Sequence, residues 1–96
     1  MNIDSFESFQ KAIKSKKLLK KYGIDKIGVF GSFARGEAAM DIDIYLDAET
    51  YEIKNLLKFK KELEKLSNKE IDLVLKKYAN PIILHRAQKD MRYVTE

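Results

Sequence analysis

"VFGSFARGEAAMDIDIYLD", residues 29–47, runs from an apolar strand through a glycine and a serine to two aspartates set one residue apart inside the next apolar stretch. An acid among apolar neighbours is unfavourable unless it is paired or bound to a cation. The alternation in DIDIYLD is strict. As an extended strand it turns Ile42, Ile44 and Leu46 to one face and Asp41, Asp43, Tyr45 and Asp47 to the other. Two residues apart on one strand, the carboxylates of Asp41 and Asp43 emerge about 6–7 Å from each other along the chain.

Upstream, IDKIGVF has the β-branched and aromatic content of a strand that ends at Gly31. Before it, Asp4 with Glu7 three residues on resembles a capping box, and Phe6, Phe9, Ala12, Ile13 and Leu19 follow at roughly helical spacing. This predicts one helix over about Asp4 to Tyr22. Downstream of the aspartates, Ile53, Leu56, Leu57, Lys60 and Leu63 predict an amphipathic helix from Tyr51 to Leu66. IDLVLK then predicts a third strand with Ile71, Leu73 and Leu75 on one face and Asp72 and Val74 on the other. Asn80 as cap and Pro81 at the first helical position predict a last helix to about Lys89, and MRYV adds a short edge strand. The order predicts an α/β fold, a small mixed β-sheet flanked by helices. The short link from Glu37 to Asp41 suits an antiparallel neighbour better than a parallel crossover.

If the second and third strands pair, Asp72 joins Asp41 and Asp43. Three carboxylates on one sheet face repel unless a cation lies between them, and hard divalent ions such as Mg²⁺ choose carboxylate oxygen together with substrate phosphates. Gly31 and Ser32 supply the complement, a turn whose backbone approaches a ligand closely and whose amides donate to anions. Arg35 adds a candidate charged contact to a phosphate tail, or pairs with Glu37 or Asp47. Taken together, a metal cluster beside an anion-binding turn fits a nucleoside triphosphate.

The chain has 96 residues, which predicts a single domain over residues 1–96, and no cysteine, which excludes disulfides and cysteine-based zinc sites. The opening MNIDSFESFQ lacks a basic segment followed by an apolar one, and no apolar run approaches the roughly 20 residues of a membrane span. A cytoplasmic location and no membrane partner are expected. The net charge of +4 is uneven, with Lys11, Lys14, Lys16, Lys17, Lys20 and Lys21 crowding one segment. Without interleaved aromatics or arginines it reads better as a solvated helix face than as a nucleic-acid footprint, with an acidic protein partner as a third use.

The combination GSFARGEA, DIDIYLD and EIDLVL resembles the minimal nucleotidyltransferases of the DNA polymerase β superfamily over most of the chain. The resemblance implies that Gly31 and Ser32 hold a triphosphate, that Asp41, Asp43 and Asp72 bind two Mg²⁺ ions, and that Asp72 is the base for an attacking hydroxyl. It implies AMP transfer from ATP to a hydroxyl of a partner macromolecule. Family members of this size commonly act as antitoxins beside a helical HEPN ribonuclease toxin, some by adenylylating a toxin tyrosine. The loop from Phe33 to Met40 is shorter than the family's usual spacing, and Met40 stands where a polar residue commonly precedes the first aspartate.

Two other function classes stay open on sequence: a degenerate module that neutralises a partner by covering it, and a small nucleic-acid-binding protein. A homodimer is a further option. His85, alone on its helix, reads as surface or packing, and Tyr45 as packing or the border of a nucleotide base. Ile82, Ile83 and Met91 read as core or a subunit contact.

Overall fold

A computed structural model of the chain describes residues 3–46 and 52–96. Helix α1 (Phe6–Ser15) and the single turn α2 (Leu18–Lys21) lead into β1 (Lys26–Phe30) and the short α3 (Gly31–Ala34). Strand β2 (Asp41–Leu46), helix α4 (Ile53–Ser67) and strand β3 (Glu70–Leu75) form the crossover unit. A 3₁₀ turn (Lys76–Tyr78), helix α5 (Pro81–Gln88) and β4 (Arg92–Thr95) complete the chain. The sheet has four strands in the order β3-β2-β1-β4. It is mixed, as the short link predicted: β1 runs antiparallel to β2 and β4, and β2 parallel to β3.

The core lies on one face of this sheet. Ile27, Val29, Ile42, Ile44, Leu46, Ile71 and Val94 turn from the strands toward Phe6, Phe9 and Ile13 of α1 and Leu56, Phe59 and Leu63 of α4. Phe9 meets Phe33 edge-on at 5.8 Å, which ties α1 to α3, and Tyr22 meets Phe59 at 5.5 Å. Among the described residues no helix is long and apolar enough to cross a membrane.

Three sequence expectations are corrected. The first helix is not continuous to Tyr22: the chain breaks at Lys17, whose φ of 51° is left-handed. Beyond the break Leu18 and Leu19 are both buried in the core. Glu96 stabilises the restart by accepting from the Leu19 amide at 2.7 Å. Second, the capping box is Ser5 with Ser8, not Asp4 with Glu7. The Ser5 hydroxyl accepts from the Ser8 amide at 3.2 Å, while Glu7 turns to Arg92 on β4 at 3.1 Å. Replacing Ser5 by Ala removes this cap and is expected to cost about 1 kcal/mol. Thermal unfolding should then move down by about 4–8 °C, as a domain of this length converts that loss.

Third, the buried stripe of α4 is Leu56, Phe59, Leu63 and Ser67, so Ile53 and Leu57 from the predicted face are exposed. The predicted start at Tyr51, like Asp47 on the acidic face, lies outside the described residues. The last helix follows the prediction, with Asn80 Oδ1 accepting from the Ile82 amide at 2.9 Å. Ile82 and Ile83 are exposed and not part of the core.

Candidate active site

The acids sit on the sheet face opposite the core. β2 turns Ile42, Ile44 and Leu46 inward and Asp41 and Asp43 outward. In the parallel pairing of β2 with β3, Asp43 is directly opposite Asp72, and Asp41 opposite Glu70. That register is fixed by the core: Ile42 faces Ile71 and Ile44 faces Leu73, so a slip by one residue would bury the acids and expose the isoleucines. The Glu70 amide donates to Met40 carbonyl at 3.2 Å, and Lys69 Nζ donates to Ala39 carbonyl at 2.8 Å. The turn before β3 thereby holds the loop that delivers Asp41.

Asp41, Asp43 and Asp72 each offer a carboxylate oxygen, and the three oxygens lie within 4.8 Å of one another. Burial raises the pKa of Asp43 above its ordinary value, and the charges of Asp41 and Asp72 and a hydrogen bond with Asp72 raise it further. The cluster is therefore under electrostatic tension in the absence of a cation. Its all-carboxylate composition and spacing fit a hard divalent ion such as Mg²⁺.

Gly31 lies against Asp43. It follows β1 as the first residue of α3 with a φ of +78°, and a side-chain carbon at this position would run into Asp43 Oδ2. Only glycine combines that left-handed backbone with so close an approach to the acid. The antiparallel pairing that sets Phe30 opposite Asp43 places Gly31 against that acid with the short loop from Phe33 to Met40 in place.

The polymerase β nucleotidyltransferase family model matches residues 13–96. A protein adenylyltransferase, MntA, from Thermococcus cleftensis is 36% identical over 97 residues, covering 98% of this chain and 97% of that protein. The chain belongs to the polymerase β nucleotidyltransferase family. A Methanocaldococcus jannaschii protein, MJ0128, named as a candidate protein adenylyltransferase, is 40% identical over 86 residues, with 84% and 88% of the two chains covered. Among solved structures, a candidate minimal nucleotidyltransferase superposes with a TM-score of 0.69 at 22% identity, over 96% of this chain and 95% of that one. A toxin–antitoxin complex solved with AMP-PNP gives 0.68 at 22% identity, over 88% and 70%. These two likenesses establish the fold.

In this nucleotidyltransferase the other sequence candidates separate clearly. Arg35 is held between two acids, with Nε donating to Glu37 at 2.6 Å and Nη1 to Asp90 at 2.8 Å, so it clamps the end of α3 to the α5–β4 junction. Asp90 was not singled out in the sequence, since nothing local ties it to a residue 55 positions away. Tyr45 is 5% exposed and serves as packing under the acidic face. His85 is exposed on α5. The lysine-rich segment of α1 and α2 lines a cleft of about 820 Å³ against α4, where Lys11, Lys16, Lys21 and Lys65 surround Leu18 and Leu66. Both helices cover the core face of the sheet, away from the aspartates.

Proposed function

We propose that this nucleotidyltransferase moves AMP from ATP to a hydroxyl of a partner protein in a Mg²⁺-dependent reaction, and that it acts as antitoxin to a helical HEPN-type toxin. The observation that carries this reading is the carboxylate cluster of Asp41, Asp43 and Asp72, with Gly31 against Asp43. Its support from relatives is the protein adenylyltransferase MntA, together with a Shewanella oneidensis complex described as a tri-AMPylated HEPN toxin with its MNT antitoxin.

In this reading Asp41, Asp43 and Asp72 hold two Mg²⁺ ions, which supply charge neutralisation on the triphosphate and a more acidic acceptor hydroxyl. Gly31 and Ser32 hold the triphosphate from the other side, the glycine by letting the chain come close and the serine through its amide and hydroxyl. Asp72, the most solvent-open of the three acids, receives the proton of the acceptor hydroxyl. The acceptor oxygen forms its bond to the α-phosphorus, the bond from that phosphorus to the bridging oxygen breaks, and pyrophosphate leaves. Arg35 acts by fixing the loop through Glu37 and Asp90, since both acids already engage its guanidinium.

The test is incubation of the purified chain with a HEPN-type protein, Mg²⁺ and ATP labelled on the α-phosphate. The reading expects label joined to the partner, dependence on the metal, and intact mass raised by AMP. A partner that gains no label, or gains label equally well in EDTA, contradicts it. Partner neutralisation that persists in the Asp43→Asn variant would favour a covering module over a transferase.

A further inference from the structure

We infer that the lysine-lined cleft between α1 and α4 is a binding site for the phosphate backbone of a nucleic-acid double helix, separate from the aspartates. Lys11 and Lys16 of α1, Lys21 of α2 and Lys65 of α4 line this one hollow of about 820 Å³. A second hollow of about 500 Å³ adjoins it, shares Lys11 and Ser15, and adds Lys14. The cations therefore form a continuous track along the last turns of α1.

Their convergence separates this surface from a solvated helix face. On a convex face lysines point apart, whereas here they come from three helices around a concavity. A cleft lined by one sign of charge focuses the potential and draws counter-ions. From Ser8 to Ile24 the chain holds six lysines and no acid. Glu62, the acid among the residues lining the larger hollow, already accepts from Lys21 and from the Tyr22 hydroxyl at 3.0 Å. Glu7, at the second hollow, is held by Arg92. Asp47 and Glu49 precede Ile53, and Lys65 lies twelve residues beyond Ile53, about 18 Å along α4. Among the described residues, Lys11, Lys14, Lys16 and Lys65 form no ion pair.

The lining also decides the kind of anion. A protein interface has an apolar centre from which lysine is depleted, whereas a nucleic-acid interface is polar and strongly positive. Here the apolar floor is already covered: Ala12 and Leu18 are buried and Leu66 is half-buried, so ammonium groups face outward. No aromatic ring lines either hollow for an unpaired base to stack on, and no arginine fork is there to read a base edge. What fits is the row of phosphates on a duplex, whose bases are already stacked, with no dependence on their sequence. Four unpaired lysines spread over two hollows suit several phosphates in a row better than the tail of one nucleotide.

The test follows the fluorescence anisotropy of short labelled RNA and DNA duplexes, each in two unrelated sequences, titrated with the full chain in EDTA. Without metal nothing bridges a phosphate to the carboxylates, so the readout is independent of the transfer reading. Contact with about four phosphates predicts binding at about 50 mM salt that weakens about a hundredfold at about 200 mM. All the duplexes should bind alike, and the matching single strands more weakly. Lys11→Gln, Lys16→Gln and Lys65→Gln combined should weaken binding about tenfold or more at the lower salt and flatten the salt dependence. Removing the same charge elsewhere, by Lys77→Gln, Arg86→Gln and Lys89→Gln combined, should leave the salt dependence as it was. No binding at the lower salt, tighter binding of single strands or of one sequence, or equal effects of the two triple variants would overturn the inference. Poly-glutamate that binds as tightly as the duplexes would also overturn it, by making the site one for an acidic protein.

Discussion

Asp43→Asn should lower adenylyl transfer by about a hundredfold or more while making the metal-free protein more stable. The activity loss follows from the position of Asp43 in the centre of the cluster, opposite Asp72 and two residues from Asp41. A metal ion contributes several kcal/mol of transition-state stabilisation, and each ~1.4 kcal/mol is a factor of ten in rate. The gain in stability follows from the same geometry. Burial and two neighbouring carboxylates make ionised Asp43 unfavourable in the fold and raise its pKa. A group whose pKa is raised by folding adds most to stability below its unfolded value, and that contribution is lost as pH rises through the folded value. The Asn variant should therefore melt above the parent at neutral pH in EDTA, with the gap closing as pH falls through the raised folded value of Asp43 and gone once the pH is below the ordinary carboxylate range. A variant that melts below the parent in EDTA at neutral pH would show that the acids do not repel. Comparing the two proteins at each pH cancels the carboxylates that do not interact with Asp43, among them Glu37, whose pKa Arg35 lowers.

The second large effect is expected at Gly31. Alanine there meets two obstacles: the left-handed φ of +78°, which disfavours a side chain by about 1–2 kcal/mol, and collision with Asp43 Oδ2. The collision can be relieved only by moving Asp43 out of its place in the cluster. A displacement of about 1 Å at reacting groups can cost about a hundredfold in rate. Gly36 separates the two causes. Its φ of +84° is equally left-handed, but nothing lies within 4 Å of where the added carbon would be. Gly36→Ala should thus lose stability from the left-handed backbone alone, Gly31→Ala should lose at least as much, and only Gly31→Ala should lose activity. Equal activity loss in both variants would assign the effect to backbone strain and remove Gly31 from the site.

The elements that build the site were legible because strand alternation has a period of two and cannot be shifted without exchanging faces. Ile42, Ile44 and Leu46 commit Asp41 and Asp43 to the open face, and Ile71 with Leu73 does the same for Asp72. The pairing of Asp43 with Asp72 needed only that β2 and β3 be neighbours, the usual outcome for strands joined through one helix. What sequence did not supply depends on contacts between distant parts of the chain. The helix that restarts after Lys17 is held by Glu96, 77 residues from Leu19. The fate of Arg35 is decided by Asp90. In α4, Phe59 took the buried position that the helical count had given to its neighbour Lys60, and Ile53 and Leu57 were left outside. Apolar periodicity alone does not distinguish a face turned to the core from one turned to a partner.

The central claim is that Asp41, Asp43 and Asp72 with Gly31 and Ser32 form one Mg²⁺-dependent site for ATP. Calorimetric titration of ATP into the purified protein tests it most directly, first with Mg²⁺, then with EDTA, and then with Asp43→Asn in Mg²⁺. The account predicts binding heat in the first titration and its loss in the other two. Binding of equal strength in EDTA, or in the Asn variant, would mean that the acids are not the site that holds the nucleotide.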